Sequence, residues 1–139
     1  MEYKRFGNKI VVRIDKGEEV IEKITFVSEK EGIKLGSISG IGATDNVKIG
    51  LFDPIKKKYF SQELIGNFEI APLSGNISKM DGKMYLHIHI NVCDEKQNSF
   101  GGHLNHAYVS ATCEVVIDIF DGEIDRKFSD DVGLNLIEF

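Results

Sequence analysis

All four histidines of the chain fall between positions 87 and 106. The segment reads Tyr85-Leu86-His87-Ile88-His89-Ile90-Asn91-Val92 and then, after a short gap, Phe100-Gly101-Gly102-His103-Leu104-Asn105-His106. Side chains alternate between the two faces of an extended strand. His87 and His89 therefore share one face, and Leu86, Ile88 and Ile90 take the other. Two residues advance a strand by ~6.6 Å. Two tilted imidazoles can close that gap onto one ion with bonds of ~2.0–2.1 Å. Gly101-Gly102 lets a loop fold close to the strand and can return His103 as a third nitrogen. Neutral imidazole suits a divalent transition metal. Three protein ligands leave one coordination position open, which brings hydrolysis or lyase chemistry with an ion-acidified water within reach. The plain alternative is two solvated histidines on an exposed sheet face and a third on a surface loop. His106 stays outside the set, because a turn that aims His103 inward does not fix the direction of His106.

Water activation would also call for a carboxylate. Glu69 and Glu114 qualify by residue type alone. In an unbroken strand Glu69 has the parity of Leu73 and Gly75, away from the histidine face, but Pro72 can interrupt that strand. Cys93 could reach the histidines as a further ligand. Cys93 and Cys113 lie twenty positions apart with no CxxC pair, and both read as buried thiols rather than a disulfide. Ser39-Gly40-Ile41-Gly42 is too short for a dinucleotide fingerprint and reads as a turn that needs glycine φ values. No nucleophile elbow or Walker loop is present. Cupins also place His-x-His on a strand, but their Pro-Gly-rich second motif is missing here.

The elements that must position these residues follow from patterning. Ile10-Val11-Val12-Arg13-Ile14 reads as a strand. A helix over about residues 16–31 follows, with Asp15 as N-cap, Glu18 completing a capping box, Val20, Ile21, Ile24 and Val27 at helical spacing, and Gly32 as its stop. Strands are expected at 34–39, 46–52, 58–64, 67–78 and 108–120, with a turn at Asp53-Pro54. Asp81-Gly82 signals a two-residue type I′ hairpin. In that register His87 opposes Asn76 and His89 opposes Ser74, while Leu86, Ile88 and Ile90 oppose Ile77, Gly75 and Leu73. A slip of one residue would mix the two faces. The segment from Phe128 to Phe139 is acidic with interspersed apolar residues. The class is α+β: a central, mostly antiparallel sheet with one principal helix, in a single domain over 1–139.

Composition narrows the function classes. The chain has 139 residues, 42% hydrophobic and 28% charged, with net charge −5. That balance gives no global attraction for nucleic acid, and Lys56-Lys57-Lys58 reads as a solvated turn. No apolar run approaches the ~20 residues of a membrane span. Met1 to Phe6 lacks a secretory signal, so the expected location is the cytoplasm.

The chain resembles the PPC (plant and prokaryote conserved) domain family, whose prokaryotic members are often labelled DNA-binding proteins with a PD1-like motif. The resemblance runs from about Tyr3 to Val116. It rests on Ile38-Ser39-Gly40-Ile41-Gly42-Ala43, Gly66-Asn67-Phe68-Glu69-Ile70, Leu73-Ser74-Gly75-Asn76, His87-Ile88-His89, Gly101-Gly102-His103-Leu104 and Cys113-Glu114-Val115-Val116. It implies a homotrimer. It also implies a divalent metal, zinc by resemblance, held by His87, His89 and His103 near a subunit boundary. Plant members reach DNA through AT-hook segments, and this chain has no Arg-Gly-Arg-Pro hook. Three functions follow as expectations: a metal-binding trimer with a ligand-binding or regulatory role, DNA binding, or a metal-dependent enzyme acting on a small molecule.

Overall fold

Ile10, Val12 and Ile14 are fully buried, and Val11 and Arg13 between them are exposed. This period-two pattern recurs through most of the chain and sets its architecture. The structure is a computed structural model and describes residues 1–139. The elements are β1 (Glu2–Phe6), β2 (Lys9–Asp15), α1 (Val20–Lys30), β3 (Gly36–Asp53), β4 (Lys58–Met80), β5 (Lys83–Cys93), β6 (Ser99–Ile119), β7 (Asp125–Ser129) and β8 (Leu134–Glu138). The main sheet runs β1-β2-β6-β3-β4-β5, and β5 also pairs with β6. That extra pairing closes β3, β4, β5 and β6 into a ring. Every ladder is antiparallel. The inward faces and α1 share one core of 22 buried residues. No helix is long and apolar enough to cross a membrane.

The Asp81-Gly82 hairpin forms as expected. Both residues have positive φ, 52° and 73°, as a type I′ turn requires. Asn76 opposes His87, Ser74 opposes His89, and Ile77, Gly75 and Leu73 oppose Leu86, Ile88 and Ile90. The register then shifts between Leu73 and Ile70, across Ala71-Pro72. That bulge exchanges the faces, so Ile70 is buried and Glu69 is exposed.

Three expectations need correction. The helix starts at Val20, with Glu19 as its N-cap: the Glu19 carboxylate accepts from the Glu22 N–H at 2.7 Å. Asp15 and Glu18 instead close a turn ahead of the helix. The Glu18 carboxylate accepts from the Asp15 N–H, and the Glu18 N–H donates to the Asp15 carbonyl. Gly17 in that turn has φ 84°. Gly32 does end the helix: its N–H donates to the Glu29 carbonyl, and the Ile33 N–H to the Ser28 carbonyl, a Schellman closure.

Ser39-Gly40-Ile41-Gly42 is not a turn. It lies inside β3, which runs unbroken for 18 residues. Its glycines serve close approach: a Cβ on Gly42 would lie 2.4 Å from the Thr112 carbonyl oxygen of β6. The separate strands expected at 58–64 and 67–78 are one long strand, β4. The acidic end of the chain forms a second, two-stranded sheet, β7-β8.

Candidate metal centre

His87 and His89 project from the outward face of β5, because Leu86, Ile88 and Ile90 are drawn into the core. His103 does not return on a glycine loop. It lies in β6 directly opposite His89, and β6 continues through Gly101 and Gly102. Those glycines are needed because β6 is wedged between neighbours. A Cβ on Gly102 would lie 2.7 Å from the Gly50 carbonyl oxygen of β3, and one on Gly101 would lie 3.2 Å from Asn91 Oδ1. The ring centroids are 5.1 Å apart for His87–His89, 5.3 Å for His87–His103 and 5.6 Å for His89–His103.

One ligand nitrogen from each ring lies within 4.8 Å of the others. Nitrogens around one tetrahedral ion sit ~3.4 Å apart, so ring rotations on the order of an ångström would gather the triad. The donor set fits a divalent ion of borderline softness. His87 and His103 are half-buried. Burial first, then the neighbouring imidazoles, push both below the ordinary histidine value, and Arg126 adds a smaller push on His87. Both rings are thus biased toward the neutral, ligating form at physiological pH.

The triad forms the floor of a cavity of about 890 Å³. Gly50, Tyr59 and Phe52 line one side, and Leu134, Leu136 and Ile137 of β8 line another. Tyr59 meets His103 edge-on and donates to Asn105 Oδ1 at 2.8 Å. The Tyr59 ring lies where Gly50 has no side chain: a Cβ there would fall 1.9 Å from its hydroxyl. Arg126 of β7 closes the third side. Its Nε donates to Ser78 Oγ at 2.8 Å, its Nη1 to the Asn135 carbonyl at 2.9 Å and its Nη2 to Asn76 Oδ1 at 2.9 Å. Its guanidinium stacks on Tyr85 at 4.8 Å.

No aspartate or glutamate lines this cavity. Glu69 points outward after the bulge, but into a separate cavity with Phe68, Cys93 and Asp94. Glu114 is exposed on β6, between buried Cys113 and Val115. Neither lines the histidine cavity. Cys93 also belongs to that other cavity. Burial pushes the Cys113 thiol up to about 12, and both cysteines are free. His106 faces elsewhere, with Nε2 3.3 Å from both Asn46 Oδ1 and Glu63 Oε1. Sequence reasoning missed Tyr59, Tyr85, Arg126 and the β8 wall. The available signal was Arg126, beside Lys127 in an otherwise acidic tail.

The architecture is therefore an antiparallel sheet closed on itself with a three-histidine cavity on its outer face. Residues 1–121 match the Plants and Prokaryotes Conserved (PCC) domain, and the chain belongs to that family. A metal-containing protein from Archaeoglobus fulgidus is 37% identical, with a TM-score of 0.88 over 97% of this chain and 95% of that one. A candidate DNA-binding protein from Bacteroides thetaiotaomicron is 35% identical, with a TM-score of 0.97 over 99% and 96%. A plant- and prokaryote-conserved protein from Pyrococcus horikoshii is 34% identical, with a TM-score of 0.86 over 99% and 94%. The comparison with curated proteins gives no match.

Proposed function

We propose that the chain is a metal-dependent small-molecule-binding protein, in which His87, His89 and His103 hold one divalent ion, zinc by preference, at the floor of the cavity. The observation that carries this reading is the convergence of three imidazoles, from two strands locked in register, on a space large enough for a ligand. The metal-containing relative from Archaeoglobus fulgidus supports it. A bound ion would supply a Lewis-acidic centre with an open side. The missing carboxylate argues against general-base hydrolysis by side chains of this cavity, which favours binding or regulation over catalysis. Elemental analysis of protein purified without chelator or nickel resin should give one ion per chain. His87→Ala and His103→Ala should lose it and His106→Ala should keep it. Wild-type metal content in the first two variants would sink the ligand assignment.

We further propose a cytoplasmic homotrimer. The free cysteines fit a reducing compartment. Val11, Ile41, Ile65, Tyr108 and Val116 are 38–80% exposed on the strands of the main sheet, apolar surface that an assembly would cover. Light scattering should return three times the chain mass, and a monomer at micromolar concentration would overturn the assembly. DNA, the partner that the Bacteroides thetaiotaomicron relative's description offers, is disfavoured by the net charge of −5.

A further inference from the structure

The chain has three arginines. Arg5 pairs with Glu31, and Arg13 pairs with Glu2 and Asp15, all at the surface. Arg126 differs on both counts: it is only 8% exposed, and its hydrogen-bond partners are all neutral. Buried charges in folded proteins are normally paired or bound to metals. A guanidinium carries a permanent charge, and the cavity it lines holds no acid to balance it. An ion held by neutral imidazoles would add two more positive charges to the same space.

We propose that the cavity recognises a small organic carboxylate, with its charged end between Arg126 and the histidine triad and its aliphatic part against Phe52, Leu136 and Ile137. This inference rests on the metal reading above and adds the charge and shape of what the centre binds. The chemistry is specific. Arg126 uses three of its five N–H donors on the protein, and two remain for an acceptor. The planar fork matches a carboxylate. The volume of about 890 Å³ lies inside the range of small-ligand sites. The β8 residues beside Arg126, which pairs directly with Ile137, are apolar and partly exposed, as a site awaiting an aliphatic group should be. A purely structural role, tying β7 to β4 and β8, accounts for the three hydrogen bonds but not for a charge without a counter-charge.

The test uses the full chain loaded with cobalt(II), with metal content measured first. Butyrate and its neutral analogue butyramide are titrated by calorimetry and by the visible cobalt band. Butyrate should bind at least about tenfold tighter than butyramide, and Arg126→Gln should remove that preference, since the preference rests on a charge-assisted hydrogen bond. Arg126→Gln can loosen β7-β8, so a second variant leaves that anchor intact. Leu136→Glu brings a competing carboxylate into the wall and should weaken butyrate about as much, whereas the neutral Leu136→Gln, which loses only an apolar contact, should weaken butyrate and butyramide alike and keep the preference for butyrate. Equal binding of butyrate and butyramide, or wild-type butyrate affinity in Arg126→Gln and Leu136→Glu, would overturn the carboxylate assignment and leave the metal centre standing. Failure to take up cobalt would overturn both.

Discussion

Two hairpins contribute to the cavity, and they are held in different ways. The β4–β5 hairpin carries His87 and His89 and is locked by eight consecutive register pairs, from Leu73–Ile90 to Met80–Lys83. Leu73, Ile77, Ile88 and Ile90 are each at most 3% exposed. The β7–β8 hairpin pairs only with itself. Phe128, Leu134, Leu136 and Ile137 are 40–53% exposed, and Arg126 is its one buried side chain. Its ties to the body are polar: the Arg126 bonds to Ser78 and Asn76, and the Lys79 N–H donating to the Ile124 carbonyl just ahead of β7. The ligating groups thus sit where core and ladder overdetermine the backbone, and the wall that would contact a ligand sits on an element with little buried apolar area. Elements of the second kind open locally at lower free energy.

The largest expected effect tests whether the two hairpins are energetically separate. A Cβ on Gly75 would lie 2.2 Å from the His87 carbonyl oxygen and 2.8 Å from Ile88 Cα. Gly75→Val should therefore pry β4 from β5, destabilise by roughly 3 kcal/mol and lower metal content. In the second hairpin, Gly133 has φ 82° and its Cβ would reach Phe52 Cζ at 3.0 Å. Gly133→Ala should cost about 1 kcal/mol and leave metal content unchanged. Urea unfolding and elemental analysis read both variants. Equal losses would mean that the hairpins unfold as one unit.

A smaller effect probes the tie between them. Ser78→Ala leaves the Arg126 Nε–H without its acceptor, a loss of about 1–3 kcal/mol for a buried donor. Hydrogen exchange in β7 and β8 should quicken about tenfold, with amides 84–92 unaffected. Uniform acceleration across both segments would erase the distinction.

The same contrast governs what the sequence reveals. The β4–β5 hairpin is legible because two local signals agree: Asp81-Gly82 fixes the turn, and the alternation of Leu86, Ile88 and Ile90 fixes the face. The histidine pair follows from that alternation. The family resemblance selects His103 over His106, and the register places His103 against His89 and His106 against Lys48. The glycine pairs are misread because their role is contact across strands. Gly42 answers to Thr112 and Gly102 to Gly50, residues 50 or more positions away, and no local φ preference encodes such an approach. The helix start slips because two acids compete as caps: the Glu19 carboxylate also accepts from the Ala107 N–H, a tertiary bond that moves the start to Val20. The wall is illegible because each of its apolar residues is only half-covered, which leaves no strong period, and because Arg126 acquires its meaning from Ser78, Asn76 and Tyr85 on distant strands.

The smallest expected effect is electrostatic and links the two regions. In the metal-free protein, His87 and His103 are pushed below the ordinary histidine value, chiefly by burial. In the unfolded chain both titrate near ~6.5. Just below that pH the unfolded state therefore binds more protons than the native state. The contribution of these groups to stability is intact above pH ~6.5. It is lost as pH falls from there through the lower folded values. Both rings are only half-buried, so solvent screening keeps the slope shallow. Urea unfolding from pH 7.5 to 5.0 should show it, and the His87→Asn/His103→Asn double variant should flatten it relative to the native sequence. Arg126 contributes to the shift of His87 but not of His103. Arg126→Gln should therefore reduce the slope only in part, by relieving one repulsion on one ring. A slope unchanged in Arg126→Gln would mean that the wall does not act electrostatically on the floor. A slope abolished by it would mean that Arg126, rather than burial, sets the protonation of the triad.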